Sequence, residues 1–277
     1  MMNEPLAAVI VAHNHGETLG RTVRSLLDQA GRPERIVVVD CGSDDTSWSR
    51  ADWAGAPGLE IILEANLGFT GGNNLGWRRL APTAGLVLFL NPDVLLEPGL
   101  LAGMRGLFGE TRAARFGAIS PRLAGYDFAT SRPTGRLDST GVFPRWSGGW
   151  QDRRETSPPA ADVLENVPAL CGAFLACRVA ALRSCLRPAG GVFDERYFAY
   201  KEDVELSYRL RRAGWQLGLW HGAEAWHGRG WQTTRRSMPR VLRMLSARNE
   251  VRLHATHARG RLPASVLKWL AASCFNL

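Results

Sequence analysis

Polar motifs that directly follow apolar runs contain most of the side chains with which this chain could do chemistry. Asn91 and Asp93 flank Pro92 after the apolar run 86–90. Two oxygen-bearing side chains separated by a proline could hold Mg²⁺ or Mn²⁺ together with the oxygens of a diphosphate. The same residues also fit a type I turn with proline at its second position. Taken alone, the motif favours the turn.

A pair of acids and a histidine are the next candidates. Glu202 and Asp203 stand at the start of an amphipathic segment, 203–213, where acids stabilise any helix through its dipole. Asp203 could also serve as a general base. His227 could ligate a metal through its neutral ring, although a lone histidine is more often structural. Spacing alone leaves these alternatives open.

Further polar residues follow three other apolar runs. His13 and Asn14 come after run 6–12, and Asp40 comes after run 36–39. Asp40 could accept hydrogen bonds from a nucleobase or a ribose, or could form a turn or cap a helix. Segment 66–74 combines three glycines with three asparagines, so its backbone could approach a ligand or form an ordinary strand-to-helix loop. It matches neither a Walker loop nor G-x-G-x-x-G.

The apolar runs predict the elements that would position these groups. Runs 6–12, 36–39, 59–63 and 86–90 are typical of strands buried on both faces, and 17–29 has helical spacing. Alternating strands and helices predict an α/β fold with a mostly parallel sheet. Ligands bind beyond the carboxyl ends of such strands, so the polar motifs should converge there. Later elements are predicted at 172–177 and 215–220, and 130–162 is predicted to be a long surface excursion.

Composition is that of a globular protein with a basic excess. Of the 277 residues, 45% are hydrophobic and 22% charged, and 34 Lys and Arg against 26 Asp and Glu give a net charge of +8. The excess suggests an anionic partner. No apolar run is long enough to span a bilayer, and the start lacks the features of a signal peptide. Five cysteines without C-x-x-C argue against disulfides or a zinc knuckle and favour the reducing cytosol.

The motifs together resemble the family-two glycosyltransferases, and within them the rhamnosyltransferase-like group. The match covers roughly residues 6–232. It consists of V-I-V-A-H-N at 9–14, V-V-V-D-C-G-S-D-D at 37–45, N-L-G-F-T-G-G-N-N-L-G at 66–76, L-N-P-D at 90–93, G-A-F-L at 172–175 and F-D-E-R-Y-F-A-Y-K-E-D at 193–203. The third and last motifs are the most specific. Departures include His13 where Tyr is common, Cys41 where Asn is common, and Asn91 in place of the usual first Asp of the metal motif.

The resemblance implies an A-type glycosyltransferase fold, in which a Rossmann-like mixed sheet is flanked by helices. It implies a nucleotide half at about 1–93 and an acceptor half at about 94–234. Separately, the basic composition and the apolar residues from 235 onward predict an amphipathic helical tail at 235–277. By this resemblance Asp203 is the catalytic base beside Glu202, and Asp93 binds Mg²⁺ or Mn²⁺, with His227 as a further metal or diphosphate contact. The implied donor-binding residues are Ala12, His13, Asn14, Asp40, Asn66, Gly68, Phe69, Gly71, Gly72, Asn73, Asn74 and Asn91. The aromatic residues Trp146, Trp150 and Tyr200 are candidates for the acceptor site, since aromatic faces stack on sugars but also fill cores.

The implied reaction is inverting sugar transfer from a nucleotide diphosphate sugar to a glycan or lipid-linked acceptor in cell-envelope polysaccharide synthesis. dTDP-L-rhamnose is the favoured donor, with UDP- or GDP-sugars as alternatives. A non-catalytic nucleotide-sugar binding module is the main competing class. Nucleic acid is not an expected partner, because the charge lies mostly in the tail and no reading motif is present. The expected location is cytoplasmic, with the tail peripheral on an anionic membrane face.

Overall fold

The structure, a computed structural model, describes residues 4–45, 53–82, 85–146, 148–154, 162–229 and 238–275. Its first half alternates strands and helices as the sequence predicts. The elements are β1 (Leu6–Ala12), α1 (Gly16–Leu27), β2 (Arg35–Cys41), β3 (Leu59–Glu64), α2 (Gly68–Leu80) and β4 (Leu86–Leu90).

The second half mixes short strands with helices, and two helices end it. The elements are β5 (Val94–Leu96), α3 (Leu100–Phe108), β6 (Phe116–Asp127), β7 (Arg132–Ser139), β8 (Val142–Pro144), β9 (Trp150–Asp152), β10 (Leu164–Asn166), β11 (Phe174–Arg178), α4 (Val179–Arg183), α5 (Glu202–Arg212), β12 (Gln216–His227), α6 (Arg240–His257) and α7 (Leu262–Phe275).

One mixed sheet organises the molecule, with strand order β10-β12-β6-β11-β4-β1-β2-β3. Strands β4, β1, β2 and β3 are parallel neighbours, and β11 lies antiparallel between β4 and β6. Alternate residues of β1 face opposite cores: Ala8 and Ile10 pack with α1 and α3, whereas Val9 packs with α2 and α5. Burial on both faces explains the unbroken apolar runs. The predicted α/β fold, a mixed sheet flanked by helices, is confirmed.

Three predicted boundaries need correction. Helix α2 begins at Gly68, so most of the segment expected to form a ligand loop is helical. The predicted excursion at 130–162 contains β7, which pairs with β6, and the small β8–β9 hairpin. The strand predicted at 215–220 continues to His227. Strand β7 was hidden because most of it is exposed and its pairing with β6 is interrupted by register shifts, so it lacks apolar alternation.

The last two helices pack on the sheet domain and on each other. Helix α6 buries Asn249, Glu250, Leu253 and His254, and α7 follows it after a short 3₁₀ turn. The predicted boundary at 234/235 lies outside the described residues. Among the helices described, none has the length and apolarity needed to cross a bilayer.

Candidate active site

A cavity of about 1110 Å³ opens at the carboxyl ends of the parallel strands. Its floor is formed by the residues that follow β1 and β4, and one wall by the start of α2. The rest of the lining comes from the β8–β9 hairpin, the loop before α5 and the first turns of α6. Polar residues that follow β1, β3 and β4 therefore meet at one cavity, whereas Asp40 near the end of β2 does not line it.

Most of the predicted site residues line this cavity. Those lining it are Ala12, His13, Asn66, Gly68, Phe69, Asn91, Asp93, Trp150, Tyr200, Glu202, Asp203 and His227. Those that do not line it are Asn14, Asp40, Gly71, Gly72, Asn73, Asn74 and Trp146.

The glycines and asparagines inside α2 serve packing rather than ligand approach, which corrects the sequence interpretation. A Cβ atom on Gly72 would lie 2.7 Å from Val11 Cγ1 and 2.9 Å from Cys41 Sγ, so the glycine lets α2 sit directly on the sheet. Gly71 would collide in the same way with Leu67. Asn74 is buried and donates 2.9 Å to the carbonyl of Phe193.

Asn73 and Trp146 also lie away from the cavity. Asn73 is buried within α2 and donates 2.9 Å back to the carbonyl of Phe69, a helix-internal bond that explains its burial. Trp146 is 96% exposed. In contrast, Trp150 is 7% exposed and packs edge-on against Tyr208 at 5.6 Å between ring centroids.

The turns after β1 and β2 are joined by side-chain hydrogen bonds. Asn14 Oδ1 accepts from Asp44 N at 2.8 Å, and His13 Nδ1 lies 2.9 Å from the carbonyl of Cys41. Asp40 Oδ1 accepts from Ser43 N at 2.8 Å, so this carboxylate does form a turn. Its Oδ2 is buried and accepts nothing from the described residues. One oxygen of Asp40 is therefore left for another donor.

Asp93 lies in a chain of buried charges. Its Oδ1 is 3.4 Å from His227 Nε2, and His227 Nδ1 is 2.7 Å from Asp138 Oδ2. Burial acts to lower the pKa of His227, but the charges of Asp93 and Asp138 outweigh it and raise the pKa to about 9. Burial acts to raise the pKa of Asp93, yet the charge of His227 leaves it below its ordinary value. Both ring nitrogens of His227 thus face carboxylates, and His227 is an ion-pair partner of Asp93 in this structure.

The Glu202–Asp203 pair occupies the first turn of α5 at the cavity wall. Asp203 Oδ2 accepts from Gly172 N at 3.1 Å, and its Oδ1 accepts from Val204 N at 2.8 Å. Burial raises the pKa of Asp203, although the charge of Lys201 opposes it. Burial and then the charge of Asp203 raise the pKa of Glu202. Such an environment makes the pair a stronger proton acceptor than a solvated carboxylate.

Sequence reasoning missed the residues that hold this charge network together. Asp138 also pairs with Arg229 Nε at 2.7 Å, and Arg229 Nη2 is 3.0 Å from Asp152. Asp138 and His227 are 89 positions apart. No local signal marks Asp138, because it lies in a polar segment without periodicity, and only the pairing of β7 with β6 brings it to the site.

The described residues fit a divalent cation that is bound jointly with a diphosphate. Within the described ranges, no group of three or more His, Cys, Asp or Glu has the arrangement of an all-protein metal site. Asn91 Oδ1 and Asp93 Oδ1 are nevertheless both buried oxygens that accept no hydrogen bond from the described residues. Magnesium-like ions need only one or two protein carboxylates when substrate phosphates supply other ligands.

Comparison with known sequences identifies the family. The family model described as "Glycosyltransferase like family 2" matches residues 4–248. The chain is 29% identical over 247 residues to N-acetylglucosaminyl-diphospho-decaprenol L-rhamnosyltransferase of Mycobacterium tuberculosis, covering 84% of this chain and 79% of that protein. It is 26% identical over 216 residues to the galactofuranosyltransferase GlfT1 of Mycolicibacterium smegmatis, covering 78% and 68%.

Solved structures share the fold at low sequence identity. The mannosyltransferase PcManGT of Pyrobaculum calidifontis, in complex with GDP-Man and Mn²⁺, superposes with a TM-score of 0.59 at 16% identity, over 100% of this chain and 77% of that one. GalNAc-T7 with UDP, GalNAc and Mn²⁺ gives a TM-score of 0.70 at 18% identity over 92% of this chain, which spans 48% of the GalNAc-T7 chain. With the family model spanning most of its length, the chain belongs to glycosyltransferase-like family 2 and is a glycosyltransferase of the A-type fold.

Proposed function

We propose that this protein transfers a sugar, with inversion, from a nucleotide diphosphate sugar to a hydroxyl of a glycan or lipid-linked acceptor in cell-envelope polysaccharide synthesis. The observation that carries the proposal is the meeting of two unlike groups in one cavity. The buried oxygens of Asn91 and Asp93 lie on its floor, and the carboxylate of Asp203 lies on its wall. The first group suits a diphosphate with its counter-ion, and the second suits a hydroxyl that must lose a proton.

Asp203 is the proposed general base. The bond between the sugar and the diphosphate breaks as the acceptor oxygen bonds to the anomeric carbon from the opposite face, and Asp203 takes the hydroxyl proton. The sugar gains oxocarbenium character in between, as in glycoside hydrolysis. The two backbone N–H groups that bind Asp203 fix the direction of its carboxylate. A positioned base of this kind contributes about 10²–10⁴-fold in rate.

Asp93, with the amide oxygen of Asn91, is proposed to hold Mg²⁺ or Mn²⁺ at the diphosphate. When bound, the ion neutralises the charge that develops on the leaving diphosphate. His227 and Asp138 orient Asp93 through the ion-pair chain, and Asp40 offers its remaining oxygen to the nucleoside. Residues that form hydrogen bonds with a metal-binding carboxylate commonly set its orientation in this way.

Among donors, dTDP-L-rhamnose is the first choice. The 29% identity to a rhamnosyltransferase supports it, together with the motifs at 66–76 and 193–203. UDP- and GDP-sugars are the alternatives, since the cavity floor offers groups for a diphosphate that any of these donors would share. A non-catalytic binding module is the less favoured class, because such a module has no need of the buried acid pair at the wall.

Thermal-shift measurements test the donor and the metal together. A ligand that binds only the folded state raises the melting temperature by an amount that grows with the logarithm of its concentration relative to its dissociation constant. We expect dTDP-L-rhamnose with Mn²⁺ to give the largest shift among dTDP-, UDP- and GDP-sugars, and to be consumed when a polyprenyl diphosphate-linked sugar is added. A larger shift of the melting temperature with a UDP-sugar would assign a UDP-sugar as the donor instead. Binding without any turnover across acceptors would favour the binding module.

The C-terminal helices are proposed to rest on an anionic membrane surface, next to a lipid-linked acceptor. Leu267 and Leu270 on α7 are 67% and 46% exposed, Arg259 and Arg261 precede them, and Lys268 lies between them. Each basic residue near such a surface contributes about 1 kcal/mol. Leu267→Glu with Leu270→Glu should lower sedimentation with phosphatidylglycerol vesicles. Leu63→Glu, at an exposed leucine of β3, is the matched control. Equal sedimentation of both proteins would remove the membrane assignment.

A further inference from the structure

The loop that leads into the acid pair has an unusual backbone. Phe198, Tyr200 and Lys201 have φ values of 61°, 70° and 74°, in the left-handed region that residues other than glycine avoid. Lys201 is the last residue before Glu202 and Asp203. A conformation of this kind persists only where surrounding groups hold it. The contacts of the loop should therefore show what keeps the acid pair in place.

Side chains and amides from other elements bind the loop carbonyls in succession. The side-chain amide of Asn249 donates to the carbonyls of Tyr197 at 2.7 Å, Ala199 at 2.8 Å and Tyr200 at 3.0 Å. Thr70 N donates to the carbonyl of Phe198 at 3.0 Å. The guanidinium of Arg252 donates to the carbonyl of Arg196. Each carbonyl from 196 to 200 thus accepts a hydrogen bond from outside the loop.

Asn249 has the central place among these donors. It is fully buried in α6, and a single NH₂ group serves three carbonyls. Its Oδ1 accepts from Arg252 Nη1 at 3.2 Å, which sets the orientation of the amide, with nitrogen toward the loop. Asn249 does not line the cavity, whereas Leu242 and Ser246 of the same helix do. Its contacts therefore serve the loop and not a ligand.

We propose that Asn249 is a positioning residue, which holds loop 196–201 in its strained shape and thereby aims the Asp203 carboxylate at the acceptor hydroxyl. The inference rests on the proposed role of Asp203 as base. Because an error of about 1 Å in such a group can slow a reaction about a hundredfold, loss of the amide should act on turnover. Asn249 itself does not line the cavity, so the affinity for the nucleotide sugar should be unaffected.

Two substitutions at the site separate this role from simple stability. In Asn249→Ser the side chain is too short to reach the loop carbonyls. Asn249→Asp keeps the shape of the side chain but replaces its NH₂ donor with an oxygen that accepts. Both should lower kcat about a hundredfold, at an unchanged dissociation constant for the donor. Arg248→Ala, at the exposed neighbouring position of α6, should leave kcat as in the wild type. Leu107→Ala, in the core beneath α3 and far from the loop, provides a variant destabilised to a similar degree with kcat retained.

A double-variant cycle with Asp203→Asn shows whether Asn249 acts through the base. If it does, Asn249→Asp should slow the residual turnover of Asp203→Asn little further, because groups that act as a unit are not additive. Hydrogen exchange of a peptide spanning 196–204 should become faster in both Asn249 variants and stay as in the wild type in Arg248→Ala. Should neither Asn249 variant fold, Arg252→Ala removes the orienting partner of Asn249 together with the hydrogen bond to the Arg196 carbonyl, and should show the same pattern in weaker form.

Several results would overturn the inference. These are wild-type kcat in the Asn249 variants, an equal loss of kcat in Leu107→Ala, full additivity with Asp203→Asn, or unchanged exchange of the loop. Full activity of Asp203→Asn itself would instead refute the proposed base. In that case faster hydrogen exchange of loop 196–201 in the Asn249 variants would still show that Asn249 holds the loop. The two failures are therefore distinguishable.

Discussion

Alanine at Gly72 tests whether the glycine-rich segment packs on the sheet or approaches the nucleotide sugar. The added Cβ would lie 2.7 Å from Val11 Cγ1 and 2.9 Å from Cys41 Sγ, closer than real carbon contacts allow. Cys41 is fully buried, and Val11 is partly buried and packs against the same core cluster, where packing is dense. Overpacking of this kind costs about 1–3 kcal/mol, against a helix-propensity gain of about 1 kcal/mol. We therefore expect a net loss of about 1 kcal/mol in the free energy of unfolding.

The same substitution at Gly106 is the matched control. Gly106 lies in α3, is exposed, and an added Cβ would meet nothing within 4 Å. Only the propensity gain of about 1 kcal/mol remains there. The two variants should thus differ by about 2 kcal/mol, or about 4–8 °C in Tm for a chain of this size, as measured by calorimetry.

Activity completes the test at Gly72. Gly72 does not line the cavity but Val11 and Cys41 do, so any rise of KM for the nucleotide sugar in Gly72→Ala should accompany the loss of Tm, and KM in Gly106→Ala should equal that of the wild type. Equal Tm values for the two alanine variants would refute the packing argument. An increase of KM in Gly72→Ala at unchanged Tm would indicate that segment 66–74 approaches the nucleotide sugar.

The remaining predictions concern the cavity itself. Asp203→Asn should lower kcat at least about a hundredfold while donor binding, measured by calorimetry, survives; wild-type turnover would exclude Asp203 as the base. Asp93→Ala should weaken donor binding in Mg²⁺ or Mn²⁺ much more than in chelator, and an unchanged metal dependence would contradict the proposed cation site. Burial raises the pKa of Glu202 in the folded state, so its contribution to stability is present at low pH and is lost as the pH rises through the folded pKa. The Tm of Glu202→Gln should therefore increase relative to the wild type from mildly acidic to mildly basic pH, and a constant difference would count against the buried acid.

The first half of the chain was predictable because its signal is local. Runs such as 6–12 and 86–90 are apolar throughout, since both faces of their strands are covered, and each ends at the polar residue that faces the cavity. Asp93 and Asp203 could be placed at one sheet edge by this rule together with their motifs. The interior of α2 was harder, because Gly and Asn have low helix propensity and only contact with the sheet selects the helix.

The second half of the chain was less predictable because its interactions join distant parts of the sequence. Asp138 reaches His227 across 89 positions, through the pairing of β7 with β6 and of β6 with β12. The sequence around neither residue indicates which residue it will pair with. A lone acid in a segment rich in Pro, Gly and Arg is indistinguishable from a solvated surface acid until the strands are paired.

Residues from 240 onward show why a count of charges does not locate function. Their composition is basic, and the sequence pattern suggests a solvated helical face, yet Asn249 and Glu250 are 0% and 1% exposed. Glu250 accepts from Trp150 N at 3.1 Å and pairs with Lys268, so it links the β9 wall of the cavity to α7. Because a buried acid is costly to leave unpaired, the contacts of Glu250 keep the last two helices packed against the cavity wall. Asparagine is a weak helix former, so Asn249 in the middle of α6 is a local sign that the helix has partners inside the domain. Glu250 gives no such sign, because glutamate forms helices well and suits a basic surface.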